Sequence, residues 1–273
     1  MFARLASGFA LLLALVSPVG AQPAPDLHPL HFSGDVDAPV LAATGFAFLA
    51  GNLMQSTLIP KPPCDPCRAA DINPLDRSLA GRRDPLADRI SYGMVALLLA
   101  APLVGDGLDV WHSHAGARSF GDDTGVYLEA LAIDGALNEV VKLAVRRPRP
   151  FAYDPSLSAA DRASADTYVS FYSEHSSLAF TAAAAYTTIF ALRHRDRPAL
   201  TALVGLLTMT LAGSTAALRV VAGAHFYSDV AIGALVGTAV GVTMPLLHRR
   251  HRLPALVLAP IDHGAMALLT LVQ

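Results

Sequence analysis

The sequence predicts an all-α, polytopic membrane helical bundle of about five to six long helices. Three observations carry that expectation. The chain has 273 residues, 53% of them hydrophobic and only 15% charged, against about 25% charged in ordinary soluble domains. Its mean hydropathy is +0.44, and the apolar residues gather in runs near the length that crosses a hydrocarbon core of about 30 Å. Short polar links join these runs, so successive helices should pack as antiparallel neighbours. The formal net charge of −2 offers no polybasic field for counterion-driven binding to nucleic acid. Membrane lipids are the expected surroundings, and nucleic acid is excluded.

Arg4 precedes an apolar run from Phe9 to Val16, and Pro18-Val19-Gly20-Ala21 leads into Gln22. Residues 1–21 are therefore expected to form a signal peptide, or an uncleaved membrane helix. Residues 22–90 are expected to form an N-terminal periplasmic or interfacial region. It includes an apolar stretch from Leu41 to Ile59, interrupted by Asn52 and Gln55. That stretch either spans or lies against the bundle, and incomplete insertion is expected if residues 1–21 are cleaved. The same region holds both cysteines, Cys64 and Cys67. No second pair exists to complete a four-thiolate zinc site, and a local disulfide is expected in an oxidising compartment.

The bundle itself is expected over residues 91–248, with helices at 91–105, 125–145, 176–192, 198–217 and 227–247. In the last, Gly233, Gly237 and Gly241 recur at four-residue spacing, which lets a neighbouring backbone approach closely. The tail, residues 249–273, reads as a short hairpin or surface strand. Orientation follows from charge. Arg193, Arg195 and Arg197 lie in one link and Arg249, Arg250 and Arg252 follow the last helix, so both places read as cytoplasmic. The end of 125–145, the start of 176–192 and the link 218–226 then share the opposite, periplasmic face.

The polar residues that carry chemistry fall at those three places. Lys142 sits near the end of one apolar helix, and Arg149 follows Pro148, which ends it. A cation so placed costs a few kcal/mol unless something compensates it. Arg146 and Arg147 read more simply as interfacial snorkelling. Ser173, Glu174 and His175 occupy a helix N-terminus, where free N–H groups attract anions. Arg219, His225 and Asp229 form the third group. Asp229 lies four residues after His225 and shares its helix face, so its carboxylate can accept from one ring nitrogen and leave the other free to attack. Gly223 marks the turn between them. A zinc site on His112 and His114 lacks a clear third ligand.

Lys142-x6-Arg149-Pro150, then Ser173-x-His175, then Arg219-x5-His225-x3-Asp229 resembles the three-part signature of the type 2 phosphatidic acid phosphatase superfamily. That superfamily includes membrane lipid phosphatases, bacterial acid phosphatases and vanadium haloperoxidases, all helical. The resemblance covers about 90 residues, in the family's order and spacing. It implies His225 as nucleophile, Asp229 orienting it, and His175 as acid and then base. It implies a phosphate cradle of Lys142, Arg149, Ser173, Glu174 and Arg219 with no metal or other cofactor. Glu174 stands where the family usually has glycine, and Leu218 where it usually has serine. The carboxylate is expected either to pair with Arg146 or Arg147, or to lower activity.

The function so implied is hydrolysis of a lipid phosphomonoester or pyrophosphate at the periplasmic face of a bacterial inner membrane, through a phosphohistidine. The alternatives are a vanadium-dependent haloperoxidase-like enzyme and a catalytically impaired protein that binds phospholipid headgroups.

Overall fold

The computed structural model describes residues 26–59 and 63–250, together with the backbone of 253–261 and 264–272. The expected signal segment, residues 1–21, lies outside the described residues. Among the described residues seven α-helices follow in order: α1 (Asp37–Leu58), α2 (Pro85–Ser113), α3 (Gly116–Val145), the short α4 (Ala159–Ala163), α5 (Glu174–Arg193), α6 (Pro198–Val221) and α7 (Tyr227–Leu247). The tail forms an antiparallel hairpin of β1 (Leu253–Ile261) and β2 (Gly264–Val272), with Leu253 opposite Val272. Six of the helices are long, as expected. Four of them, α1, α2, α6 and α7, are long and apolar enough to cross a membrane.

Local chemistry sets the helix ends. The Asp84 carboxylate accepts from the N–H groups of Leu86 and Ala87 at 3.0 and 3.1 Å, and Pro85 takes the first helical position, a start that satisfies two orphan donors. α2 continues well past the expected end at residue 105 and stops where His114 turns left-handed, at φ 56°. Its polar second half is tolerated because Arg193, at the end of α5, reaches it. The guanidinium donates to Asp106 at 3.1 Å and to Asp109 at 2.9 Å, and it also pairs with Asp123 of α3. Arg193 is thus buried and neutralised, which leaves Arg195 and Arg197 as the exposed cations of that link.

α5 is the central helix. Ala179 and Ala182 through Ala185 are all buried, and these small side chains let four helices, α2, α3, α6 and α7, close around it. α7 approaches most tightly, along the glycine stripe. A Cβ added at Gly233 would stand 2.7 Å from the Ser173 carbonyl oxygen, and one at Gly237 or Gly241 would overlap the carbonyls of Ser177 and Thr181. The stripe therefore seats α7 on the start of α5, as its spacing suggested.

α1 is a continuous helix lying on α3. Asn52, which looked like an interruption of an apolar run, donates to Glu139 of α3 at 2.9 Å, and Phe48 packs over Gly135. The polar residue faces the bundle while Phe46, Leu49 and Leu53 stay exposed, so the segment keeps its full length. Asp37 begins α1 beside His248, and Leu58 ends it beside Arg146. α1 thus runs toward the end of the bundle where α3 finishes and α5 begins. Residues 26–36 sit at the other end, where Asp26 and His31 bond the backbone of Arg193 and His248.

Candidate active site

The expected residues do converge on one end of the bundle. Gly223 adopts φ +70°, and any Cβ there would overlap the Arg82 carbonyl, so only glycine allows the tight link between α6 and α7. That link sets Arg219 in the last turn of α6 and His225 just ahead of α7. His225 is 1% exposed. Its Nδ1 lies 2.7 Å from the carbonyl oxygen of Ser170. A carbonyl can only accept, so Nδ1 carries the proton and Nε2 keeps its lone pair. Nε2 in turn lies 3.3 Å from a nitrogen of Arg149. Burial, then the charges of Arg149 and Arg219, push the imidazole well below its usual pKa, so it stays neutral and nucleophilic.

The expectation that Asp229 holds His225 directly is corrected by this geometry. The nearest approach of Asp229 to Nδ1 is 3.9 Å, because both carboxylate oxygens are already committed. One accepts from Arg147 at 2.5 Å; the other accepts from the Ser170 hydroxyl at 2.6 Å and the Phe226 N–H at 2.9 Å. Asp229 acts through Ser170, whose side chain it grips and whose carbonyl orients the histidine.

Ser173 caps α5, its hydroxyl accepting from the Ser176 N–H at 3.3 Å, while its own N–H donates to the Asp229 carbonyl at 3.1 Å. His175, in the first turn, packs edge-on against Tyr92 with ring centroids 4.5 Å apart. Its Nε2 is buried and has no hydrogen-bond partner among the described residues. A substrate oxygen would supply the missing partner.

All three expected phosphate-binding cations are present, and each holds a carboxylate. Arg149 donates to Asp166 at 2.6 Å, and also to the Asp166 and Ala224 carbonyls. Arg219 donates to Asp88 at 2.5 Å and to Ser91 at 3.0 Å. Lys142, 3% exposed, donates to Glu139 at 3.1 Å and also pairs with Glu174. Glu174 therefore pairs with Lys142, the cation expected to hold phosphate, instead of standing free to meet a ligand. Its expected partners are engaged elsewhere. Arg146 takes a left-handed conformation that ends α3 and bonds the Leu58 carbonyl, while Arg147 bridges Asp76 and Asp229. Arg149 also holds Asp166 below the usual carboxylate range, against the opposing effect of burial.

A cavity of about 240 Å³ opens onto this cluster, lined by Arg149, Arg219, Asp88, Asp166, Tyr92 and Phe151 among others. Cys64 and Cys67 form the expected disulfide, with Cα atoms 5.0 Å apart. The Cys64 carbonyl accepts from the Tyr168 hydroxyl at 3.4 Å, which ties that loop to the segment leading into Ser170.

Residues 123–253 match the family model of the PAP2 superfamily. These residues belong to the PAP2 superfamily. Among solved structures, the first transmembrane PAP2-type phosphatidylglycerolphosphate phosphatase from Bacillus subtilis shows a likeness at 19% identity, covering 74% of this chain and 94% of that one with a TM-score of 0.44. No curated protein shows a significant match to the chain.

The PAP2 region accounts for every motif residue, but the site also draws on residues before it that carry no motif. Asp76 is fully buried, takes 2.5 and 2.8 Å bonds from Ser228 and Arg147, and accepts from Asn73 at 2.7 Å. Burial would raise its pKa, but the bonds from Ser228, Arg147 and Asn73 prevail and hold it low. Arg147 stacks over Phe226, 4.2 Å from the ring centroid. It is a partly buried strut rather than a snorkelling flank. The spacing of Asn73 and Asp76 in a proline-rich loop was visible in the sequence, but nothing local told that the loop folds back onto α7. Ser170 gave no signal, because its backbone oxygen does the work.

Proposed function

We propose that the protein is a metal-independent phosphatase that hydrolyses a lipid phosphomonoester or pyrophosphate through a phosphohistidine on His225. The observation that carries this reading is the fixed tautomer of His225, whose unprotonated Nε2 accepts from Arg149. Nε2 attacks phosphorus, the P–O bond to the leaving group breaks, and His175, which takes up a proton as the phosphate anion binds beside it, passes that proton to the departing alkoxide. His175 then takes a proton from water, the resulting hydroxide attacks phosphorus, the P–N bond breaks and inorganic phosphate leaves. Lys142, Arg149 and Arg219 stabilise the charge on the equatorial oxygens.

The lipid assignment is supported by the site's place at one end of four helices suited to a membrane, with exposed Tyr92 and Leu86 beside it on α2. Phosphatidic acid, phosphatidylglycerol phosphate, undecaprenyl pyrophosphate and lipid A phosphates are the candidate substrates. The periplasmic assignment is supported by exposed Arg195, Arg197 and Arg249 at the opposite end. It puts residues 26–36 on the cytoplasmic side.

Phosphate release from that lipid panel in detergent, with vanadate as inhibitor, tests the reading. Wild type should release phosphate from at least one lipid faster than from water-soluble esters, and His225→Ala should not. Equal rates on lipids and soluble esters would refute the lipid assignment. Vanadate-dependent halide oxidation would favour the haloperoxidase alternative. The pairing of Glu174 with Lys142 supports a second reading, a headgroup-binding protein with little turnover. Binding of phosphatidic acid vesicles without phosphate release would select it.

A further inference from the structure

At the end remote from His225, Asp37 of α1, Glu129 of α3 and His248 beyond α7 bring three ligand-type atoms within 4.8 Å of one another. His248 Nδ1 lies 2.9 Å from the Met244 carbonyl. That carbonyl can only accept, so a neutral His248 carries its proton on Nδ1 and turns a bare lone pair outward from Nε2. Two carboxylate oxygens face that lone pair: Glu129 Oε2 at 3.2 Å and Asp37 Oδ1 at 3.4 Å. Three acceptors pointed at one another repel unless something positive sits among them. Glu129 is 3% exposed, and its Oε2 has no hydrogen-bond donor among the described residues. A buried carboxylate oxygen without a donor is costly.

We infer that Asp37, Glu129 and His248 form a binding site for a divalent transition cation. The spacing fits. Metal–ligand bonds of about 2.0–2.2 Å at tetrahedral angles set neighbouring donors roughly 3.3–3.6 Å apart, close to both measured separations. The donor set of one imidazole and two carboxylates suits zinc or a neighbour in the first transition row rather than calcium or magnesium. The backbone carbonyl on Nδ1 is the outer support that metal-bound histidines usually have. The Ser33 N–H, at 2.6 Å from the other Asp37 oxygen, plays the same part for the carboxylate.

Access is provided by a cavity of about 620 Å³ lined by Asp37 and His248, with His28 and His31 in its wall. His31 is next to the site, its N–H bonding the His248 carbonyl at 3.0 Å, and His28 has a buried Nδ1 with no partner among the described residues. Water would complete the fourth position. The cation would pin the segment ahead of α1 to α3 and α7, far from the phosphatase site and independent of it.

The test uses full-length protein in detergent, free of any histidine tag and treated with a chelator. Zinc binding is followed by isothermal titration and elemental analysis, with cobalt absorption as a readout of geometry. One equivalent per chain, a raised melting temperature and a tetrahedral cobalt spectrum are expected. Glu129→Gln and His248→Gln should each weaken zinc binding at least tenfold. Wild type that binds no zinc would overturn the proposal whatever the variants do. So would a folded His248→Gln protein that binds zinc as tightly as wild type.

Discussion

Glu174→Gln should raise activity, and the size of the gain follows from where the carboxylate sits. Glu174 and a bound phosphate compete for one ammonium, that of Lys142. A phosphate oxygen bonded to Lys142 would lie roughly 4–5 Å from the Glu174 carboxylate, where each pair of unit charges repels by about 3–4 kcal/mol at an effective dielectric constant near 20. The Glu174 side chain is 20% exposed and can swing toward solvent, so about 1–2 kcal/mol of that repulsion should survive in the transition state. Converted to rate, this is roughly a 5- to 30-fold gain in kcat/KM. Glutamine keeps the volume and a hydrogen-bonding end, and Glu139 still accompanies Lys142 at 3.1 Å. The assay is phosphate release from the preferred lipid at sub-saturating concentration, with the vanadate inhibition constant measured alongside; that constant should fall by a similar factor. Unchanged kcat/KM and unchanged vanadate affinity would refute the competition. A tenfold loss would refute it too, and would make Glu174 a positioning residue for Lys142.

Two further outcomes follow. His225 is held neutral in the fold and takes up a proton near pH 6.5 when unfolded, so its lowered pKa makes stability fall as pH drops below 6.5, by up to about 1.4 kcal/mol per pH unit. His225→Asn should therefore lose less melting temperature than wild type between pH 7 and pH 5; equal losses would show that the imidazole is not held neutral. Gly237→Ala would press a methyl group onto the Ser177 carbonyl at the α5–α7 contact, costing about 1–3 kcal/mol. A melting temperature within a degree of wild type would show that the two helices are not locked together there.

The helical bundle was legible in composition because a chain with so few charges has nowhere but lipid or its own core to place its apolar surface. The six long helices appear, displaced at their ends where polar residues find distant partners. α2 outruns its apolar stretch because Arg193 compensates Asp106 and Asp109, and α1 runs unbroken because Asn52 meets Glu139. Such pairings join residues far apart in the chain and leave no local pattern.

The candidate site shows the same division. Lys142, Arg149, Ser173, His175, Arg219, His225 and Asp229 could be named from spacing, since each lies at a helix end and the helix order alone brings those ends together. What those side chains hold was decided by tertiary structure. The carbonyl that orients His225 belongs to Ser170, Asp229 works one bond further out, and Arg147 is a strut to Asp76. Each of the three cradle cations carries a carboxylate. Sequence fixes which groups lie at which end of a helix. Only packing brings a backbone oxygen, or a carboxylate from another helix, within 3 Å of them, and at that range it selects a tautomer or occupies a cation.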